Sequence, residues 1–160
     1  MDRIDILKAT SLVGLTSSIW LSGIYFGSSQ LTVPLLFGLP VETSSRLFKD
    51  LYYSGAKTVV PLALLSTVAT GVAGYLDPEK RVGYAIAATS TIGTLVWTRA
   101  AMVGNINRLL AFADDKKVKE DVQPAEMDQL LRQWQWMNSV RAVLAGIGGV
   151  VGLLVTSRIL

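Results

Sequence analysis

Thr58-Val-Val-Pro61-Leu-Ala-Leu-Leu-Ser66-Thr-Val-Ala-Thr70-Gly-Val-Ala-Gly74-Tyr-Leu76 is a run of 19 residues without one charged side chain. In hydrocarbon every backbone amide must be paired within the segment, so an apolar run of this length reads as a helix, and about 20 helical residues cross the ~30 Å core of a bilayer. Three more uncharged runs flank it: Ala9 to Val41, Val82 to Thr98, and Ala142 to Ser157. The fold class that follows is all-α, an integral membrane bundle of four transmembrane helices.

The first run exceeds one span. Its tail, Leu31 to Pro40 with Pro34 and Pro40, is expected to leave the helix. The opening MDRIDILK carries acids, and no small-residue cleavage site follows the apolar run, which predicts a retained span rather than a signal peptide. The last two runs have 17 and 16 residues, only ~25 Å at 1.5 Å per residue, so both helices should extend past their flanking Arg99 and Arg141. Spans are expected at about 8–29, 55–76, 82–104 and 134–157, in a single domain over 1–160. Between spans three and four, 105–133 is a polar connection containing the cluster DDKKVKED. Pro124-Ala-Glu126-Met127 within it is a helix-start signal, so an amphipathic helix extension is expected there.

Small residues recur at four-residue spacing, as Ser66, Thr70 and Gly74, then Gly83 and Ala87, then Gly148, Gly152 and Thr156. Membrane helices approach one another closely along such stripes. The glycines from Gly146 to Gly152 follow no strand, so they predict helix packing rather than a nucleotide-binding loop.

Charged residues make up 17% of the chain and hydrophobic ones 51%, against about 25% charged in an average protein. Cysteine and histidine are both absent, which excludes disulfides, thiol chemistry, Cys/His zinc sites, iron–sulfur clusters and His-ligated haem. The net charge of +3 resides at span ends, beside acids, and is better explained by membrane flanks than by nucleic acid. Arg46, Lys49, Arg108, Lys116, Lys117, Lys119 and Arg132 lie on one side of the expected bundle. Arg3, Lys8, Lys80, Arg81 and Arg158 lie on the other. The positive-inside rule therefore leans towards termini facing away from the cytoplasm.

The unusual polar residues gather at one end. Lys57 opens span two, Asn105, Asn107 and Arg108 close span three, and Trp134, Asn138 and Arg141 open span four. Trp134, Asn138 and Arg141 are spaced i, i+4, i+7, and Thr98, Met102, Asn105 and Arg108 are spaced i, i+4, i+7, i+10, so each set can form one helix face. No Asp or Glu falls within a span, so an anionic ligand or intermediate would supply the missing charge. Arg and Asn offer fixed donors to a developing enolate or phenolate, and a partly desolvated Lys57 is suited to be a general base.

Plainer readings stand beside these. Span-end cations, Arg99 above all, also serve as snorkelling anchors to lipid phosphate. Trp97, Trp134 and Trp136 also fit an interfacial aromatic belt. Asn105 and Asn138 also fit as hydrogen-bonding glue between spans three and four.

Three segments carry a family resemblance: Tyr53-Ser-Gly55-Ala-Lys57-Thr-Val-Val-Pro61-Leu-Ala-Leu-Leu-Ser66, Thr98-Arg-Ala-Ala-Met102-Val-Gly-Asn105-Ile-Asn107-Arg108-Leu-Leu, and Trp134-Gln-Trp136-Met-Asn138-Ser-Val-Arg141. Together they resemble the anthrone oxygenase-like family of four-span membrane proteins, over about Gly14 to Gly152. The resemblance implies a cofactor-free oxygenase of polyketide-type secondary metabolism that acts on a planar phenolic substrate, with O2 as co-substrate and no metal. An endoplasmic-reticulum or other endomembrane location is implied if the source is fungal. Arg99 and the lack of a histidine depart from the family pattern, which keeps isomerase or cyclase chemistry in the same pocket open.

The expected catalytic set is thus Lys57 as base with Asn105, Arg108, Asn138 and Arg141 as anion-binding donors. Trp97, Thr98, Met102, Asn107, Trp134 and Tyr53 are expected around the substrate. The expected partners are a hydrophobic aromatic small molecule, O2 and membrane lipid, with no nucleic acid and an oligomer possible. A non-catalytic lipid-binding or scaffolding protein is the alternative of a different class. A transporter is weaker, since no intramembrane acid and no inverted repeat are evident.

Overall fold

The computed structural model describes residues 2–115 and 123–157, so Lys116, Lys117, Lys119 and Arg158 of the topology argument lie outside the described residues. Helix α1 (Arg3–Gly27) continues as a π-helical turn (Ser28–Thr32) and a 3-10 turn (Val33–Leu36). Then follow α2 (Val41–Leu76), α3 (Arg81–Trp97), a second π-helical turn (Thr98–Met102), α4 (Val103–Asp114) and α5 (Pro124–Thr156). No strand occurs among the described residues.

Three of these helical stretches, Arg3–Leu36, Val41–Leu76 and Pro124–Thr156, are long and apolar enough to cross a membrane. Outward-facing Leu12, Trp20, Leu64, Leu65, Val68 and Val150 are exposed, as expected where the outer solvent is lipid. The tail of the first run stays helical further than its prolines predict. Pro34 occupies the start of the 3-10 turn, where its missing N–H leaves no bond unmade, and the chain turns extended only at Phe37. Pro61 lies inside α2, which membrane helices tolerate when neighbouring helices and hydroxyls meet the freed carbonyl.

The helices form a four-cornered bundle in which α1 and α3 each pack against both α2 and α5. Close approach along α5 depends on its glycines. A Cβ at Gly148 would stand 2.8 Å from Ser18 Oγ and 3.0 Å from the Ala87 carbonyl oxygen. Similarly, Ser66 Oγ donates to the Gly14 carbonyl at 2.8 Å where α2 crosses α1.

Across the α1–α3 diagonal, hydroxyls pair at three levels: Ser11 with Tyr84 at 2.8 Å, Ser18 with Thr91 at 2.8 Å, and Tyr25 with Thr94 at 3.5 Å. The three positions on α1 are seven residues apart, two helical turns, which keeps them on one face.

The polar end of the bundle has its own apolar core. Ile106, Leu109 and Phe112 of α4 pack with Phe48 of α2 and Met127 and Leu131 of α5. The described ends of the polar connection are therefore amphipathic helix, and α5 begins at Pro124.

Candidate functional site

At the level of the two π-helical turns all four corners of the bundle line one cavity of about 90 Å³, or about 560 Å³ counted out through its open mouth. α1 and its π turn contribute Ile24, Tyr25 and Ser28. α2 contributes a face running from Leu51 and Tyr52 through Gly55 and Ala56 to Val59 and Val60. Leu95 and Thr98 come from the α3 side, and Trp134, Asn138 and Arg141 from α5.

The buried floor is polar. Asn138 donates from Nδ2 to the Tyr25 carbonyl and to Ser29 Oγ, both at 2.8 Å. Ser29 Oγ in turn donates to the Tyr25 carbonyl at 2.9 Å. The carbonyl fixes which amide atom faces it, since only the nitrogen can donate. Asn138 Oδ1 is left buried without a hydrogen-bond partner among the described residues, and so are Trp134 Nε1 and Arg141 Nε. Each unmet buried polar atom costs about 1–3 kcal/mol. All three belong to residues that line the cavity, two donors and one acceptor whose unmet bonds call for an explanation, and a ligand entering the cavity would supply one.

Arg141 is 6% exposed. Its guanidinium carbon lies 3.9 Å from the centre of the Tyr25 ring, and it has no ion pair among the described residues. A desolvated cation–π contact gives about 2 kcal/mol, whereas taking an ion out of water costs several kcal/mol even after the protein relaxes. The ring offsets only part of the charge, and a bound anion would supply the rest. Most of the remaining wall is aliphatic and aromatic, from Ile24, Leu51, Tyr52, Val59, Val60 and Leu95, which suits a flat hydrophobic body with one anionic edge.

The expected site residues divide sharply. Trp134, Asn138, Arg141 and Thr98 meet at the cavity. Lys57 and Tyr53 do not: both are exposed, one helical turn apart on the outer stripe of α2, while Tyr52 faces inward. Asn105 is buried but donates to the Leu130 carbonyl and to Gln133 Oε1, both at 3.1 Å, tying α4 to α5 away from the cavity. Arg108 lies at the surface, paired with Glu126 at 2.9 Å, and Asn107 is exposed. Trp97 donates from Nε1 to the Met137 carbonyl at 3.1 Å, and Met102 is fully buried in the polar-end core.

Distance along the bundle accounts for Arg108, ten residues beyond Thr98 and so about 15 Å of helix rise away, whereas helix phase accounts for Lys57 and Tyr53. Sequence reasoning missed Tyr25, Ser28 and Tyr52. Tyr25 had a signal, being the sole tyrosine in the uncharged run from Ala9 to Val41.

A family model for anthrone oxygenases matches residues 48–151, a segment that includes Tyr52, Thr98, Trp134, Asn138 and Arg141.

The chain belongs to the anthrone oxygenase family.

Among curated proteins it is similar to an anthrone oxygenase of Aspergillus fumigatus, 29% identical over 161 residues that cover 89% of each chain. It also resembles a noranthrone monooxygenase of Aspergillus flavus, 26% identical over 91% of this chain and 72% of that one. A third relative is an anthrone oxygenase of Paecilomyces divaricatus, 25% identical over 92% and 93% of the two chains. No solved structure matches. The match to the anthrone oxygenase family thus runs from within α2 to within α5, and the similarity to the three relatives covers 89–92% of this chain.

Proposed function

We propose that this chain is a membrane oxygenase of aromatic polyketide metabolism that converts an anthrone-like methylene to a ketone with O2. The family and the names of three fungal relatives support the oxygenase class. The single observation that carries the site is Arg141, a buried cation with no acidic partner among the described residues, lining a largely apolar cavity.

In this reading the substrate anion lies with its oxyanion against Arg141 and the Trp134 N–H, donors already desolvated and fixed before reaction. Asn138 Oδ1 accepts a neighbouring O–H of the substrate. Electron density held in the anion reaches the benzylic carbon, which bonds to O2 to give a peroxide anion. Loss of the remaining C–H proton with cleavage of the O–O bond leaves the ketone and hydroxide. The methylene plus O2 thus become a carbonyl plus water, and no external reductant is consumed.

The chain would sit in the membrane as one domain of four spans, at about 8–29, 55–76, 82–104 and 134–157, and, if the source is fungal, in the endoplasmic reticulum or another endomembrane. In this reading α3, the π turn that continues it and the first residues of α4 would make up the third span.

The test is oxygen uptake and product formation by the detergent-purified protein with an anthrone, above the spontaneous rate. Arg141→Met is expected to lose about 10²–10³-fold in kcat/KM, the range for removing one oxyanion donor, with partial recovery in Arg141→Lys. Conversion of the anthrone without oxygen uptake would replace oxygenation by a proton-transfer reaction in the same cavity.

A further inference from the structure

We propose that the enzyme carries no general base and takes its substrate as an anion already formed, the proton having been lost to water before the ligand reaches the cavity. This inference rests on the oxygenase reading above and concerns how its first step is accomplished.

The groups that reach the cavity are aliphatic, hydroxyl, phenol, indole, amide and guanidinium. Tyr25 from α1, Tyr52 from α2 and Arg141 from α5 are its titratable members, and the α3 side adds only Leu95 and Thr98. A neutral phenol gives up a proton more readily than it takes one, and guanidinium stays charged in proteins. Among the described residues no carboxylate or lysine lines the cavity, and the chain has no histidine. Lys57, the expected base, is exposed on the opposite stripe of α2.

The unmet atoms of the floor favour the anion over its neutral parent. Trp134 Nε1 and Arg141 Nε are donors without an acceptor among the described residues, and an oxyanion accepts from such donors roughly twice as strongly as a neutral oxygen does. Binding the anion also neutralises the buried cation, which binding the neutral form does not. Selection of the charged form then replaces proton abstraction. The substrate O–H or enolisable C–H loses its proton to water, the conjugate base enters, and that proton joins the hydroxide released when the O–O bond breaks.

The experiment separates this from the oxygenase reading by using a ligand that O2 does not attack. Alizarin, an anthraquinone dye whose first ionisation turns it from yellow to red, is titrated into the purified wild type at pH values below that first solution pKa. The expected result is a bound red form, with Kd weakening about tenfold for each pH unit lowered, because only the ionised fraction binds. A bound yellow form with Kd flat across that range would overturn the proposal whether or not the protein consumes oxygen. Arg141→Lys should keep the red spectrum and Arg141→Met lose it; a red spectrum retained in a folded Arg141→Met would refute the selection by Arg141.

A second arm uses anthrones made more or less acidic by ring substituents. The inflection of kcat/KM with pH should move with each substrate's own pKa. One inflection shared by all of them would reveal a base belonging to the protein.

Discussion

Asn138 donates to the main-chain carbonyl of Tyr25 at 2.8 Å, and the ring of the same tyrosine carries the Arg141 guanidinium 3.9 Å from its centre. One residue of α1 therefore positions two residues of α5 a single helical turn apart, by its backbone and by its side chain. The contact that docks α1 on α5 is also the contact that shapes the cavity floor.

Asn138→Leu should separate these roles. The Tyr25 carbonyl keeps the Ser29 hydroxyl, bonded at 2.9 Å, so the loss of stability should stay near the lower end of the about 1–3 kcal/mol range for an unmet buried group. Oxygen uptake should fall more steeply, because the leucine offers no acceptor to the substrate. Thermal unfolding in detergent measured beside uptake checks both; a variant as active as wild type would remove Asn138 from the site.

Tyr25 is expected to matter through its ring. Its hydroxyl makes one long bond, 3.5 Å to Thr94, so Tyr25→Phe should stay within about twofold of wild-type kcat/KM, a change of under ~0.5 kcal/mol. Tyr25→Leu removes the face beneath Arg141 and should cost about 1–2 kcal/mol, roughly five- to thirty-fold. Equal losses in both variants would shift the role to the hydroxyl.

Adjacent positions on α2 give a paired test. Lys57 is exposed and outside the lining of this cavity, whereas Ala56 is part of its wall. Lys57→Met should leave uptake within about twofold of wild type, as for most surface substitutions. Ala56→Phe should fill the mouth and raise KM. Abolished uptake in a folded Lys57→Met would restore that lysine as the base.

Glycine content in the helices is not uniform in purpose. Gly148→Val would push a side chain into Ser18 Oγ and the Ala87 carbonyl, and overpacking of this kind costs about 1–3 kcal/mol. Gly93 has nothing within 4 Å of an added Cβ, so Gly93→Ala should be neutral or raise stability by up to about 1 kcal/mol through helix propensity. Melting temperatures of the two variants in the same detergent provide the comparison.

The all-helical fold was legible because uncharged runs of membrane length leave the backbone few alternatives. The α5 trio was legible too, since Trp134, Asn138 and Arg141 lie within two turns of one regular helix, and 3.6-residue periodicity holds over that distance. Phase was harder where no polar landmark marks the inner face. On α2, counting from Lys57 selects the stripe through Tyr53, but burial of Val59 and Ala63 puts Tyr52 inward.

On the third helix, a stripe extrapolated from Thr98 to Arg108 passes straight through the π turn at Thr98–Met102. A π turn shifts the angular register of everything beyond it. No local signal announced that turn, and none identified the α1 residues that close the cavity, because contacts between distant segments leave no spacing to read.

The three hydroxyl pairs across the α1–α3 diagonal have a mechanical consequence. Two are tight at 2.8 Å and the third, at the cavity, is slack at 3.5 Å, so the bundle resembles tongs riveted at one end and loose at the jaws. About 90 Å³ falls short of the ~300–1,000 Å³ of pockets that enclose whole small molecules, and a fused three-ring guest would have to prise the jaws open. The two π turns flank that loose end, which makes the Tyr25–Thr94 pair the place where a tether between α1 and α3 should slow turnover while leaving the riveted end untouched.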